Sequence, residues 1–218
     1  MNQASIKKIT GFLVLSGIFL FISGCASTQY AIMEKFGKEK RHILIDKVEG
    51  VQDSQTKAQE EFKDALTRIK ELYAFDGKEL ETFYKKVKAS YEDCDDRANE
   101  IETRIDKVKS VAADLFLEWE TEIGQISDAK MKSSSRSSLK DAKIKYARLE
   151  TVMKKSTSRM APVLTKLKDY VLYLKHNLNA KAVGSLGSEV VSIEKDVTKL
   201  IADMNTSIKE ADNFIKNF

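Results

Sequence analysis

The sequence predicts an all-α protein, an elongated antiparallel bundle of four long coiled-coil-like helices that follows a lipoprotein signal peptide. Three observations support this fold class. Apolar residues recur at alternating steps of four and three residues, which is the 3.5-residue period of a left-handed coiled coil. Only one of the 218 residues is proline, and 32% are charged. No Pro/Gly/Ser-rich linker divides the chain, so a single elongated domain is expected after the signal peptide.

Residues 1–24 have the composition of a lipoprotein signal peptide. Lys7 and Lys8 give a positive start, residues 9–21 form a short apolar run, and small residues precede a cysteine in Ile22-Ser-Gly-Cys25. The run is shorter than the about 20 apolar residues that a membrane-spanning helix needs. A secretory signal with a coincidental cysteine is the alternative. We expect cleavage before Cys25 and acylation of its thiol, with palmitate among the acyl chains.

Acylation would attach the processed N-terminus to a membrane. Residues 25–42 would then form a lipidated tether or short helix, and the bundle is expected over residues 43–218. If the processing resembles that of Gram-negative lipoproteins, Ala26 in the place after the cysteine favours the outer membrane. The predicted address is the bacterial cell envelope, on a membrane that faces the periplasm.

Overall charge selects no partner class. Of the 37 basic and 33 acidic residues, the signal peptide takes two lysines and no acid, which leaves a nearly neutral chain. The only cysteine besides Cys25 is Cys94, so acylation leaves no pair for an internal disulfide. Because Cys94 lies on an apolar seam, we interpret it as a small buried hydrophobe.

The first two helices are expected over residues 43–75 and 78–126. The first seam is apolar except for one glutamine and consists of Leu44, Val48, Val51, Gln55, Ala58, Phe62, Ala65, Ile69 and Leu72. The second seam consists of Leu80, Tyr84, Val87, Tyr91, Cys94, Ala98, Ile101, Ile105, Val108, Ala112, Leu115 and Trp119. Between the helices, Asp76-Gly77 suits a tight turn because glycine tolerates positive φ.

The third and fourth helices are expected over residues 131–182 and 186–217. The third seam consists of Leu139, Ala142, Tyr146, Leu149, Met153, Ser156, Met160, Val163, Leu167, Tyr170 and Leu174. Pro162 lies within it and should kink the helix without ending it. The fourth seam consists of Leu186, Val190, Ile193, Val197, Leu200 and Met204, slips by one residue, and resumes at Ile208, Ala211, Ile215 and Phe218.

Polar residues between the seams mark the junctions. Ser127, Asp128 and the serines of residues 133–138 each offer a cap for the start of the third helix. Gly184 and Gly187 flank the last turn. Helices of about 50 residues would extend roughly 70 Å. The seams alone do not distinguish pairing within one chain from pairing in a homodimer.

Charge separates the second helix from the third. Residues 78–122 contain thirteen acids and eight bases, whereas residues 130–181 contain fourteen bases and three acids. One interpretation is complementary packing of the two helices, with about 0–1 kcal/mol per surface pair. The other is an outward basic surface for anionic lipid or polysaccharide. Its candidate residues are Lys130, Lys132, Arg136, Lys140, Lys143, Lys145 and Arg148. No aromatic residues alternate with these bases, so a nucleic-acid partner is not expected.

No pattern in the sequence predicts catalysis. His42 and His176 are the only histidines, and neither has a cysteine or carboxylate at a metal-ligand spacing. The carboxylates of residues 92–102 lie off the seam and indicate a solvated helix face. A glycine-rich phosphate loop and a nucleophile elbow are both missing from the sequence. We expect no enzyme, no metal and no cofactor.

Several segments resemble an uncharacterised family of bacterial lipoproteins that is known only as a domain of unknown function. They are Tyr30-Ala-Ile-Met-Glu-Lys-Phe-Gly37, Arg41-His-Ile-Leu-Ile-Asp-Lys-Val-Glu49, Phe75-Asp-Gly77, Leu115-Phe-Leu-Glu-Trp-Glu120 and Tyr170-Val-Leu-Tyr-Leu-Lys-His-Asn-Leu-Asn-Ala180. The resemblance covers nearly the whole processed chain. It implies a lipid-anchored, all-helical protein and carries no activity, ligand or catalytic residue to transfer.

Polar groups gather near the bend between the third and fourth helices. His176, Asn177 and Asn179 would meet a partner protein there, or the two asparagines would serve to end the third helix. The function expected from all these features is a non-enzymatic, lipid-anchored scaffold or adaptor that touches an envelope protein or the cell wall. The alternative is a peripheral binder of anionic lipid or polysaccharide through the basic third helix.

Overall fold

Four long helices and one short helix build the described part of the chain. A computed structural model describes residues 39–74 and 79–218. The helices are α1 (Lys40–Tyr73), α2 (Leu80–Gln125), α3 (Ala129–His176), α4 (Ala180–Gly184) and α5 (Gly187–Asn217). Within the two described ranges there is no strand, and the all-α prediction is confirmed. The predicted signal peptide, Cys25, the tether up to residue 38 and the Asp76-Gly77 turn lie outside these ranges.

The four long helices pack in a ring that follows chain order. α1 packs against α2, α2 against α3, α3 against α5, and α5 returns to pack against α1. Neighbours run antiparallel, as two ion pairs between α1 and α2 show, because Lys40 pairs with Glu118 (3.0 Å) and Arg97 with Glu61 (3.8 Å). The topology is therefore up-down-up-down, with the last helix closing on the first.

Most positions of the predicted seams form the core, but the predicted seam residues Leu80, Tyr84, Tyr91, Trp119 and Tyr146 are half-buried. Phe62, Ile101, Leu149 and Met153, from three of the helices, are among the largest fully buried side chains. Burying a large apolar side chain contributes roughly 1.5–3 kcal/mol, so the seam positions supply most of the stabilisation of the bundle.

The predicted slip in the seam of α5 is wrong. After Met204 the buried positions are Ser207, Ala211 and Phe214, whereas Ile208 and Ile215 are half-buried. The four-three period therefore continues without interruption. A serine occupies a seam position because its small side chain fits there, and a search for apolar residues alone passes over it.

A side-chain cap fixes the start of α3 at Ala129, two residues before the predicted start. The Asp128 carboxylate accepts a hydrogen bond from the backbone N–H of Met131 at 2.7 Å. Capping of this kind satisfies one of the free donors in the first turn of a helix. The neighbouring serines lie inside α3, where Ser135 accepts a hydrogen bond from the indole N–H of Trp119 at 2.9 Å.

α3 continues through Pro162 and ends at His176, six residues before the predicted end. Two asparagines account for the earlier end. The amide of Asn177 donates to the carbonyl of Tyr173 (2.9 Å), and the side chain of Asn179 accepts from the N–H of Ala182 (3.0 Å) at the start of α4. The interval predicted as one helix is thus α3, a capped bend and α4.

The start of α1, the end of α5 and the turn between α2 and α3 lie at the same end of the bundle. The turn extends further than the other two. α1 begins opposite Glu118, and the carbonyl of Asn217 at the end of α5 accepts a hydrogen bond from Lys145 at 2.6 Å. Among the described residues, no helix combines the length and the apolar content needed to cross a bilayer.

Candidate interaction surfaces

Three of the seven predicted basic residues are held by other parts of the bundle. Lys132 donates to the carbonyl of Gly124 at 3.0 Å, Lys143 forms an ion pair with Glu120, and Lys145 contacts the end of α5. The other four have no hydrogen-bond or ion-pair partner among residues 39–74 and 79–218. These free cations are Lys130, Arg136, Lys140 and Arg148.

The acidic α2 and the basic α3 share one ion pair within the described ranges, that of Lys143 with Glu120. The bases of α3 pair more often with acids of α5. Lys155 and Arg159 both contact Asp203, and Lys166 contacts Asp196. Among the described residues, one ion pair therefore supports complementary packing of the acidic α2 against the basic α3. Much of the positive charge of α3 faces solvent instead.

Two of the free cations border an open groove between α2 and α3. Arg136 and Lys140 stand over apolar residues that include Ile123 and Leu139, and the groove encloses about 570 Å³. Ile144, 44% exposed, continues the apolar floor outward. The groove thus combines positive charge with an accessible apolar surface.

The predicted partner residues at the α3–α4 bend have local structural roles. Asn177 and Asn179 form the capping bonds described above, and His176 is exposed at the last position of α3. The structure brings the three residues together, and the polar groups of both asparagines are used to end one helix and begin the next.

A larger cavity lies beside this bend, between α3 and the start of α5. It encloses about 800 Å³ and is bordered by Tyr170, Tyr173 and Asp169 of α3 and by Glu189 and Ile193 of α5. No pattern in the sequence predicted this site. The two tyrosines stand three residues apart on α3, which is visible in the sequence, but nothing there indicates that the first turns of α5 lie opposite them.

A polar layer crosses the middle of the core. The amide of Gln55 on α1 donates to the hydroxyl of Ser156 on α3 at 2.9 Å, and that hydroxyl donates to the carbonyl of Met153 at 2.8 Å. The Gln55 carbonyl and the Ser207 hydroxyl are buried and have no hydrogen-bond partner among the described residues. The layer thus interrupts the apolar core between α1 and α3.

Two arginines of α2 bind the carboxylate of Glu100, one of the acidic residues of that helix. Glu100 accepts hydrogen bonds from Arg97 (2.9 Å), Arg104 (2.9 Å) and the hydroxyl of Ser54 (3.2 Å). The bonds from Arg97 and Arg104 hold the pKa of Glu100 below its ordinary value. Among the residues that the structure describes, no group of three or more His, Cys, Asp or Glu side chains is placed to hold a metal ion.

Cys94 is fully buried, and the interpretation of this residue as a small buried hydrophobe is confirmed. Burial raises the pKa of its thiol, and the nearby carboxylates of Glu61 and Asp93 raise it further. The thiol is therefore protonated at neutral pH, which is the unreactive state for nucleophilic or redox chemistry.

Comparison with protein families gives a match over most of the chain. The family model described as Protein of unknown function (DUF2959) covers residues 29–218. No curated protein matches the chain.

Proposed function

Given that the chain belongs to the DUF2959 family, we propose that it is a lipid-anchored helical scaffold or adaptor of the bacterial cell envelope, without catalytic activity. The observation that carries this proposal is the closed ring of long helices. α2 and α3 have 46 and 48 residues, so each extends roughly 70 Å. A bundle of this length presents separate binding surfaces at its two ends and along its sides.

The anchor in this proposal is Cys25. Its support is the sequence alone, namely the lysines, the short apolar run and the Ile-Ser-Gly-Cys order. Several acyl chains together would hold the protein on a membrane, and no membrane-spanning helix is then needed. Fourteen residues, 26–39, lie between Cys25 and α1, and a chain of that length reaches at most about 50 Å when fully extended.

The anchor is tested by labelling cells with an alkyne analogue of palmitate. Wild-type protein should take up label and sediment with membranes, and the Cys25→Ser variant should do neither. Uptake of label by both proteins, or by neither, would contradict the anchor.

The adaptor role is tested by crosslinking in cells followed by mass spectrometry, in which the same envelope proteins or cell-wall fragments should be recovered in independent experiments. Recovery of no envelope component at any crosslinker length would oppose the adaptor.

A second candidate function is binding of anionic lipid or polysaccharide through α3. The observation that favours it is that four of the seven predicted cations, Lys130, Arg136, Lys140 and Arg148, have no partner among the described residues. Binding of this kind weakens with salt because the contacts are screened, with a Debye length of about 8 Å at physiological ionic strength.

This candidate is tested with the Cys25→Ser chain and vesicles that contain phosphatidylglycerol or only phosphatidylcholine. The second function predicts binding to the anionic vesicles that disappears at moderate salt. It further predicts that Arg136→Gln with Lys140→Gln weakens binding, whereas Lys154→Gln with Lys168→Gln, which removes two exposed cations elsewhere on α3, has a smaller effect. Absence of binding at low salt would leave the adaptor alone.

A further inference from the structure

The cavity beside the α3–α4 bend contains a buried hydroxyl with no assigned role. Tyr170 is only 3% exposed and borders the cavity. Its hydroxyl has no hydrogen-bond partner among the described residues. Buried polar groups nearly always have such a partner, either a protein group, an ordered water or a ligand, so this oxygen has a hydrogen-bonding capacity that the described residues do not use.

The charges around the cavity are mainly negative. Asp169 and Glu189 are exposed at its border, and neither forms an ion pair with a described residue. Lys166 also borders the cavity, but its ammonium donates to Ser192 (2.8 Å) and pairs with Asp196. The Glu189 carboxylate accepts a hydrogen bond from the Ser188 hydroxyl at 2.8 Å, but neither carboxylate has a cationic partner among the described residues, so both attract a cation.

The walls suit an aliphatic stem. Leu186 and Ile193 are buried apolar residues of the lining, and the ring of Tyr173, 40% exposed, stands at the opening. Aromatic rings attract cations through the negative charge of their faces. A long side chain with a charged end can bury its methylene groups along such walls while the end remains near polar groups.

Tyr170 stays uncharged at neutral pH. Burial, and then the nearby Glu189 carboxylate, raise its pKa to about 12. A neutral phenol oxygen can accept a hydrogen bond from an ammonium or guanidinium N–H. The buried hydroxyl and the two exposed carboxylates at this cavity are all hydrogen-bond acceptors, which suits a cation rich in donors.

We propose that this cavity binds a lysine or arginine side chain of a partner polypeptide, with its aliphatic stem against Leu186 and Ile193 and its cationic end near Tyr170, Asp169 and Glu189. The inference rests on the proposed adaptor function and states which chemistry the adaptor recognises at this end of the bundle. It is a property of the folded bundle, so it can be tested separately from the anchor.

The test uses the full chain purified in mild detergent, with the methyl groups of isoleucine labelled for NMR. Two probes are acetyl-Gly-Lys-Gly-amide and acetyl-Gly-Arg-Gly-amide, and the matched control peptide replaces the charged residue with norleucine, which keeps the stem and removes the charge. Both charged peptides should shift the Ile193 methyl signal in a saturable manner by about 20 mM, a range suited to weak binding. The core residue Ile43 should not shift.

Matched variants test the assigned residues. Asp169→Asn with Glu189→Gln should weaken binding roughly tenfold or more, since charged hydrogen bonds are lost. Asp96→Asn with Glu102→Gln, which removes two exposed carboxylates of α2, should leave binding unchanged. Tyr170→Phe should lower the affinity several-fold while the thermal unfolding midpoint stays the same or rises, because it removes a hydroxyl that has no partner in the free protein.

Several results would overturn the proposal. Equal binding of the norleucine peptide would show that charge is not recognised. A shift of Ile193 with the free diamine cadaverine but with neither peptide would exclude a polypeptide ligand. Equal weakening by the α2 variant would reduce the effect to general charge attraction. Failure of palmitate labelling at Cys25 would contradict the anchor without altering any of these measurements.

Discussion

At the scale of single residues, the polar layer in the core is the feature that departs most from a simple bundle. Gln55 is 1% exposed, and its amide depends on the Ser156 hydroxyl as an acceptor. Polar seam residues are known to specify the register of helical bundles at a cost in stability. We therefore expect the replacement of one polar partner alone to destabilise the fold more than the replacement of both partners.

Ser156→Ala should destabilise the protein by about 1–3 kcal/mol, because it leaves the buried Gln55 amide without an acceptor. Gln55→Leu with Ser156→Ala should recover most of that loss, since both polar partners are then replaced by apolar groups. Urea unfolding of the two single variants and the double variant measures the coupling. Thr67→Ala, which removes an exposed hydroxyl bonded to the carbonyl of Lys63, serves as a control expected within about 0.5 kcal/mol. Additive losses in the double variant would contradict the pairing.

The Glu100 cluster predicts a dependence of stability on pH. The hydrogen bonds from Arg97 and Arg104 lower the pKa of Glu100 from its ordinary value of 4.5 in the folded state. The charged carboxylate therefore stabilises the fold above about pH 4.5, and this contribution is lost as the pH falls through the lowered folded pKa. The free energy of unfolding should fall less steeply below pH 4.5 in Glu100→Gln than in the wild type.

Glu102→Gln is the matched control for that experiment. Glu102 is an exposed neighbour on α2, and it forms no ion pair with a described residue. Its substitution should leave the slope of unfolding free energy against pH as in the wild type. Equal slopes in all three proteins would show that the arginine contacts of Glu100 do not contribute to folding.

At the scale of helices, most of the secondary structure could be predicted from sequence period and caps. The 3.5-residue period locates every long helix because seam residues must face the core. The exact ends of α3 depend on Asp128 and Asn177, whose capping bonds decide among several equally good candidates. The course of the α5 seam could not be predicted from apolarity because Ser207 takes a core position.

Pro162 predicts a local weakness in α3. It is exposed inside a continuous helix, where it removes one backbone hydrogen bond. Pro162→Ala should raise the free energy of unfolding by roughly 1–3 kcal/mol, since an interior proline costs about 3 kcal/mol relative to alanine. Chemical denaturation followed by circular dichroism measures the change. Thr165→Ala, one turn away and also exposed, should change stability much less; an unchanged or lower stability of Pro162→Ala would contradict the expected strain.

At the scale of the whole bundle, only part of the helix pairing was evident from the sequence. The expectation of short antiparallel turns leads to α1–α2 and α2–α3 contacts, but the α1–α5 contact depends on how the ring closes. Lys70 with Glu194 and Gln52 with Asp212 join α1 to α5, and these residues are more than 100 positions apart. The cavity at Tyr170 could not be predicted for the same reason, since it requires α5 opposite α3.

The closed ring predicts that the helices unfold together. Leu200 is fully buried in α5. Leu200→Asp should destabilise the bundle by about 4–5 kcal/mol, because it places an unpaired charge in the shared core. Val191→Asp on the same helix alters a side chain that is 66% exposed and should have little effect. Thermal unfolding followed by circular dichroism should show one transition at lower temperature for Leu200→Asp; loss of only the helicity of α5 would contradict the shared core.

The contact of α5 with α1 also has a consequence for biosynthesis. α5 is the last of the described helices to be made, yet it covers one side of α1, which is the first of them. Until the residues of α5 (Gly187–Asn217) leave the ribosome, α1 and α3 keep apolar flanks that α5 covers in the folded bundle. Such flanks are binding sites for chaperones. A bundle closed in this way therefore reaches its native packing in one late step, when α5 docks on α1 and α3.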